Sequence, residues 1–153
     1  MPLIQRLRIG MKSEGAKIFE EPTGWANIDR SLGEVRRRLA EAKTEEQFQA
    51  IGLLCRETLI SLAQIVYNPQ RHISEDGVIP SKTDAKRMLK SYLSAELSGD
   101  TNQIARKHAK ASLDLANDLQ HRRTATFQHA ALCAEASTSL VNLIAFISGQ
   151  RDP

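Results

Sequence analysis

The sequence predicts an all-α protein, a bundle of four to five antiparallel helices preceded by an N-terminal arm. Three observations carry this prediction. Apolar residues recur at alternating spacings of three and four, the period of one helix face. No stretch shows the two-residue alternation of a strand. Helix punctuation separates the periodic segments, at Thr44-Glu45-Glu46-Gln47, Asn68-Pro69, Ser98-Gly99-Asp100 and Gly149. At 153 residues the chain is one domain with one core, and its 41% apolar, 25% charged composition excludes global disorder.

Residues 1 to 24 lack sustained periodicity and are interrupted by Gly10, Gly15, Pro22 and Gly24. They read as an arm suited to docking on the bundle or on a partner subunit, with residues 25–153 as the bundle domain. A first helix is expected from Trp25 to Ala42, with Trp25, Ile28, Leu32, Val35, Leu39 and Ala42 as its stripe. Arg36-Arg37-Arg38 crosses it in three directions and reads as a solvated face rather than a binding patch. Thr44 and Gln47 form a capping box that opens the second helix. Its core face is Phe48, Ile51, Cys55, Leu59, Leu62 and Val66, widened by Leu53, Leu54, Ile60 and Ile65, so it belongs at the centre.

Asn68-Pro69 stops the second helix, since proline disfavours helix in the residue before it. A long loop follows to about residue 82. Ser81-Lys82-Thr83-Asp84 caps a third helix from Asp84 to Leu97, burying Met88, Leu89, Tyr92, Leu93 and Ala95. Lys82, Lys86, Arg87 and Lys90 make its first half basic, either as a solvated face or as a phosphate-tracking stripe. The fourth helix is expected from Asn102 to His121, with Ile104, His108, Ala111, Leu115 and Leu119 facing the core. The fifth, from Ala125 to Ser148, is nearly all apolar and belongs in the middle of the bundle or across a dimer interface; Gly149 is its C-cap.

The composition excludes several functional classes. A net charge of +3 permits a nucleic-acid partner without demanding one. Aromatics at 5% argue against a base-stacking surface of the single-strand-binding kind. Cys55 and Cys133 lie in apolar helical patterns and read as buried thiols, not as a disulfide or metal site. No segment approaches the ~18 uninterrupted apolar residues of a membrane span, and the first residues lack the apolar run of a signal peptide. A cytoplasmic protein away from the membrane is expected. No phosphate-binding glycine loop, zinc spacing or nucleophile elbow occurs, so no metal or cofactor is expected. A helix-turn-helix over 84–121 lacks a clear base-reading face in its second helix.

The stretch that carries chemistry is His121-Arg122-Arg123-Thr124-Ala125-Thr126-Phe127-Gln128-His129. It sits where the fourth helix stops and the most apolar segment begins. Two arginines beside titratable imidazoles suit a phosphodiester, because arginine clamps phosphate and histidine moves a proton. Arg122 and His129 are seven positions apart, about two turns of a regular helix, and so share a face. The other reading is that His121, Arg122 and Arg123 cap the carbonyls at the fourth helix's C-terminus, where the dipole favours cations.

Arg123 to His129 is an R-x(4–6)-H motif at the entrance to a long apolar terminal helix. In this the chain resembles the HEPN superfamily over roughly residues 25 to 149. Thr124 stands where that family commonly has asparagine, aspartate or histidine. The resemblance implies a four- or five-helix bundle, a homodimer, and a metal-independent endoribonuclease of the defence or toxin type. It implies Arg123 and His129 as the catalytic pair. Arg122, His121, Thr124, Lys82 and Lys86 are the expected substrate-binding residues, RNA the expected substrate, and an antitoxin or other partner protein a further expectation. The alternative is a catalytically inactive HEPN-like dimer that binds a nucleotide, nucleic acid or protein. A third reading is an unrelated helical scaffold or DNA-binding regulator.

Overall fold

The computed structural model describes residues 23–121 and 126–151. These residues form five α-helices: α1 (Ala26–Glu41), α2 (Glu45–Val66), α3 (Ala85–Glu96), α4 (Gln103–Gln120) and α5 (Phe127–Ile147). A 3-10 turn, Asp100–Asn102, leads into α4. The all-helical architecture expected from periodicity is present, and no strand occurs among the described residues.

Local chemistry sets the boundaries. Thr44 Oγ1 accepts the Gln47 amide N–H at 3.3 Å, and Gln47 Oε1 accepts the Thr44 N–H at 3.1 Å, closing the capping box of α2. Asp84 caps α3 by accepting the Arg87 amide, and Thr126 caps α5 by accepting the His129 amide. Gly149 follows α5 at φ +81°, the left-handed position that favours glycine. Of the proposed arm, Thr23 and Gly24 belong to the bundle. Asp29 in the first turns of α1 accepts both amide N–H groups and the Thr23 hydroxyl, and Thr23 is buried. The rest of the arm, residues 1–22, lies outside the described residues.

Helix directions follow from which ends meet. The Phe48 and Phe127 rings lie 6.2 Å apart, so α2 and α5 start at the same end. Val66 and Ile147 line one cleft at the other end. These two helices therefore run the same way, with α1 and α4 returning against them. By length and composition α2 and α5 are long and apolar enough to cross a membrane, and in the bundle α2 packs against four other helices and α5 against three.

The core has two parts. One lies toward the Val66–Ile147 end and gathers Leu62, Leu89, Leu93, Leu113, Leu140 and Ile144. The other lies toward the Phe48–Phe127 end and gathers Val35, Ile51, Cys55, Leu119, Ala130 and Cys133. Both cysteines are buried and unbridged, as expected. Hydrogen bonding to Cys133 and then burial push the Cys55 thiol well above its usual range. Arg36, Arg37 and Arg38 are exposed, with Glu34 accepting from Arg37 and Arg38.

The buried face of α4 differs from the expected one. Ala109, Leu113, Ala116 and Leu119 face the core, whereas Ile104 is 84% exposed and His108, Ala111 and Leu115 are also exposed. The helix carries two apolar stripes. The stripe of Ala109, Leu113 and Ala116 is the one turned inward, with small residues at two of its positions that let α4 approach α5; Cys133 Sγ of α5 lies 3.9 Å from the Ala116 carbonyl of α4. Ala95 is exposed on α3, and Leu53 and Ile65 are half-exposed on α2, so the buried face of α2 is narrower than its apolar stripe. Urea denaturation tests the assignment: Leu140→Ala should cost about 2–5 kcal/mol, while Leu115→Ser should change stability by less than about 0.5 kcal/mol. A Leu115→Ser cost comparable to Leu140→Ala would contradict the observed face.

Candidate functional site

The turn from α4 to α5 is built by two helix ends. His121 is the C-cap of α4; its amide bonds the Asp118 carbonyl at 3.2 Å and its side chain is exposed. Thr126 turns the chain into α5, so that His129 falls in the first turn of that helix, half-buried. Arg122, Arg123 and Thr124, three of the expected site residues, lie outside the described residues. The two histidines thus bracket the diarginine segment, His121 at a helix C-terminus and His129 near a helix N-terminus.

Beside His129 is a cavity of about 40 Å³, lined by Phe48, Gln49 and Gly52 of α2 and by Gln120 and Ala130. Gln120 Nε2 is buried here and has no hydrogen-bond partner among the described residues. An unpaired buried amide donor costs about 1–3 kcal/mol. This nitrogen is a buried donor at the last residue of α4, and the sequence reading missed it. Nothing in the spacing distinguishes Gln120 from the other polar residues at the end of α4.

The two lysines expected to bind substrate do not join this turn. The Lys82 carbonyl accepts from Gln64 Nε2, and Gln64 is about 24 Å along α2 from Phe48 at 1.5 Å per residue. Lys86 and Lys90 share a face, as expected, but both approach Asp114, at 3.7 and 3.2 Å. Arg87 pairs with Asp76. Three of the four cations in the basic half of α3 thus engage two carboxylates in exposed ion pairs, which suits the solvated-face reading better than a phosphate stripe. Among the described residues no group of histidines, cysteines and carboxylates is arranged to hold a metal ion.

At the opposite end of the bundle is a cleft of about 630 Å³ that the sequence reading did not find. His72 is buried at its floor and engages both ring nitrogens. Nδ1 accepts the Asn68 amide N–H at 2.9 Å, and Nε2 lies 3.0 Å from Glu96 Oε1. Because Nδ1 accepts, Nε2 carries the proton and donates to the carboxylate. Arg71 Nη2 reaches the other Glu96 oxygen at 3.1 Å. Trp25, Tyr67 and Tyr92 also line the cleft, and the His72 ring packs against Tyr92 at 5.0 Å and Tyr67 at 6.0 Å. The long loop was singled out in the sequence, but no periodicity links His72 to a glutamate on the next helix.

Comparison with protein families, with characterised proteins and with solved structures returns no match for this chain.

Burial, and then the Glu96 carboxylate, push the Tyr92 phenol up to about 12. The neutral phenol is the form the fold favours. Its contribution to stability is full below the ordinary tyrosine pKa of about 10 and is lost as pH rises from there toward 12. Tyrosinate absorbance during alkaline titration should show a component near that higher value, and Tyr92→Phe should remove it. A component that survives the substitution would assign the shift elsewhere.

Proposed function

We propose that the chain is a HEPN-like RNA-processing domain, a metal-independent endoribonuclease acting at the α4–α5 turn. The observation that carries the reading is the grouping at that turn. His129 sits in the first turn of α5 beside the Gln120 amide donor, which has no partner among the described residues, with the His121-Arg122-Arg123 segment preceding it in sequence. A phosphodiester asks for these groups: cations to neutralise the phosphorane-like transition state, a neutral donor for a nonbridging oxygen, and a group that moves one proton. The N-terminus of α5 adds the positive end of a helix dipole.

In the proposed reaction the ribose 2′-OH attacks the adjacent phosphorus. Its proton passes to a general base, and the bond to the 5′-oxygen breaks. The products are a 2′,3′-cyclic phosphate and a 5′-hydroxyl. His129 serves as base toward the 2′-OH or as acid toward the leaving oxygen, Arg123 neutralises the transition state, and Arg122 with His121 holds a flanking phosphate. Charge neutralisation by the arginines makes a metal ion unnecessary to this scheme. The reading includes a homodimer that brings two such turns together, a cytoplasmic setting, and a neutralising partner protein. Lys82 and Lys86 are not part of the proposed site.

Purified protein incubated with total cellular RNA in EDTA tests this. The wild type should cleave, His129→Ala should lose about 10²–10⁴-fold and Arg123→Ala about 10²–10³-fold. Equal cleavage by all three proteins would remove the catalytic assignment. Binding of RNA without cleavage would leave the inactive, binding form of the same bundle.

A further inference from the structure

We propose that the cleft at the Val66–Ile147 end is a binding site for an organic cation, an alkylammonium or guanidinium group seated on Glu96 between aromatic walls. The site is separate from the α4–α5 turn and stands whether or not that turn cleaves RNA.

The volume of about 630 Å³ falls in the range of small-molecule sites. Its charge distribution selects the ligand. Among the described residues lining the cleft, Glu96 is the one carboxylate and Arg71 the one permanent cation. The Glu96 side chain is 18% exposed and His72 3%, whereas Arg71 is 69% exposed. The buried partner holds the carboxylate in place by hydrogen bonding, its Nδ1 accepting the Asn68 amide and its Nε2 on Glu96. Among the described residues the permanent cation on Glu96 is Arg71, which lies mostly in water and forms an ion pair of little strength. A cation entering the cleft displaces that arginine and gains a carboxylate already oriented.

The aromatic lining supports the same class. Tyr92 lies against His72 beside the carboxylate, and Trp25 and Tyr67 line the cleft with it. Ring faces attract ammonium and guanidinium groups, most strongly where water is partly excluded. A phosphate or carboxylate ligand would meet Glu96 on the floor with only exposed Arg71 to offset it. The same cationic chemistry is offered by a free amine and by a basic side chain of a peptide.

Trp25 is the single tryptophan of the chain and lines the cleft, so its fluorescence reports occupancy directly. The probes are 1,4-diaminobutane, the N-acetyl methylamides of lysine and arginine, AMP and inorganic phosphate. A saturable change is expected with the cations and none with AMP or phosphate. A tighter diamine assigns a free amine, and a tighter blocked amino acid assigns a basic side chain. Glu96→Gln should weaken cation binding at least about tenfold, the loss of a charge-assisted contact. Arg71→Ala should tighten it by about two- to fivefold, because the internal competitor is gone. If Glu96→Gln fails to fold by circular dichroism, the direction of the Arg71→Ala effect decides. Weaker binding in Arg71→Ala, a saturable response to the anions, or no response to any cation would overturn the proposal.

Discussion

The close contact between α4 and α5 is the constraint on which the rest of the bundle depends. It is made by small residues. Ala109 and Ala116 on α4 are buried, as are Ala130, Ala134 and Ala145 on α5. The two helices lie near each other, and dispersion contacts accumulate along their length. That closeness fixes the rotation of α4. It turns Leu113 and Leu119 inward and Ile104 and Leu115 outward. It also sets the ends: His121 closes α4 and Thr126 opens α5.

The bundle has two chemically different ends because α2 and α5 run the same way. At one end the capped starts of both helices meet the close of α4, and the sequence places His121, Arg122 and Arg123 between α4 and α5. At the other end the chain leaving α2 folds back through His72 onto Glu96 of α3, and aromatic residues gather around a carboxylate. Both ends follow from ordinary helix-end chemistry. N-caps satisfy amides at the first; a histidine that accepts a backbone amide and donates to a carboxylate closes the loop at the second. The same two long helices that form the core keep these ends apart.

Much of this was legible in the sequence where the signal is local. The capping box at Thr44, the stop at Asn68-Pro69 and the glycine after α5 each act within a few residues, so each is written in the chain. The face of α4 was not, because two stripes competed and the choice lies in the partner helix: Ala116 matters only once Cys133 approaches it. His129 at the head of α5 was legible from its position. Gln120 was not, since only burial makes an amide at that position unusual. The His72–Glu96 pairing spans 24 positions and two elements, and no periodic rule reaches that far. Lys86 and Lys90 were read correctly as neighbours, but Asp114 opposite them comes from another helix.

The account's central claim is that the α4–α5 turn is where RNA meets the protein. Amide chemical-shift mapping with a short single-stranded oligoribonucleotide tests it most directly, on wild-type protein and without relying on turnover. The account predicts perturbations concentrated at His121, Thr126, Phe127, Gln128 and His129, fading with added salt as phosphate contacts do. Perturbations centred instead on Trp25, Arg71 and His72, or none anywhere, would contradict it.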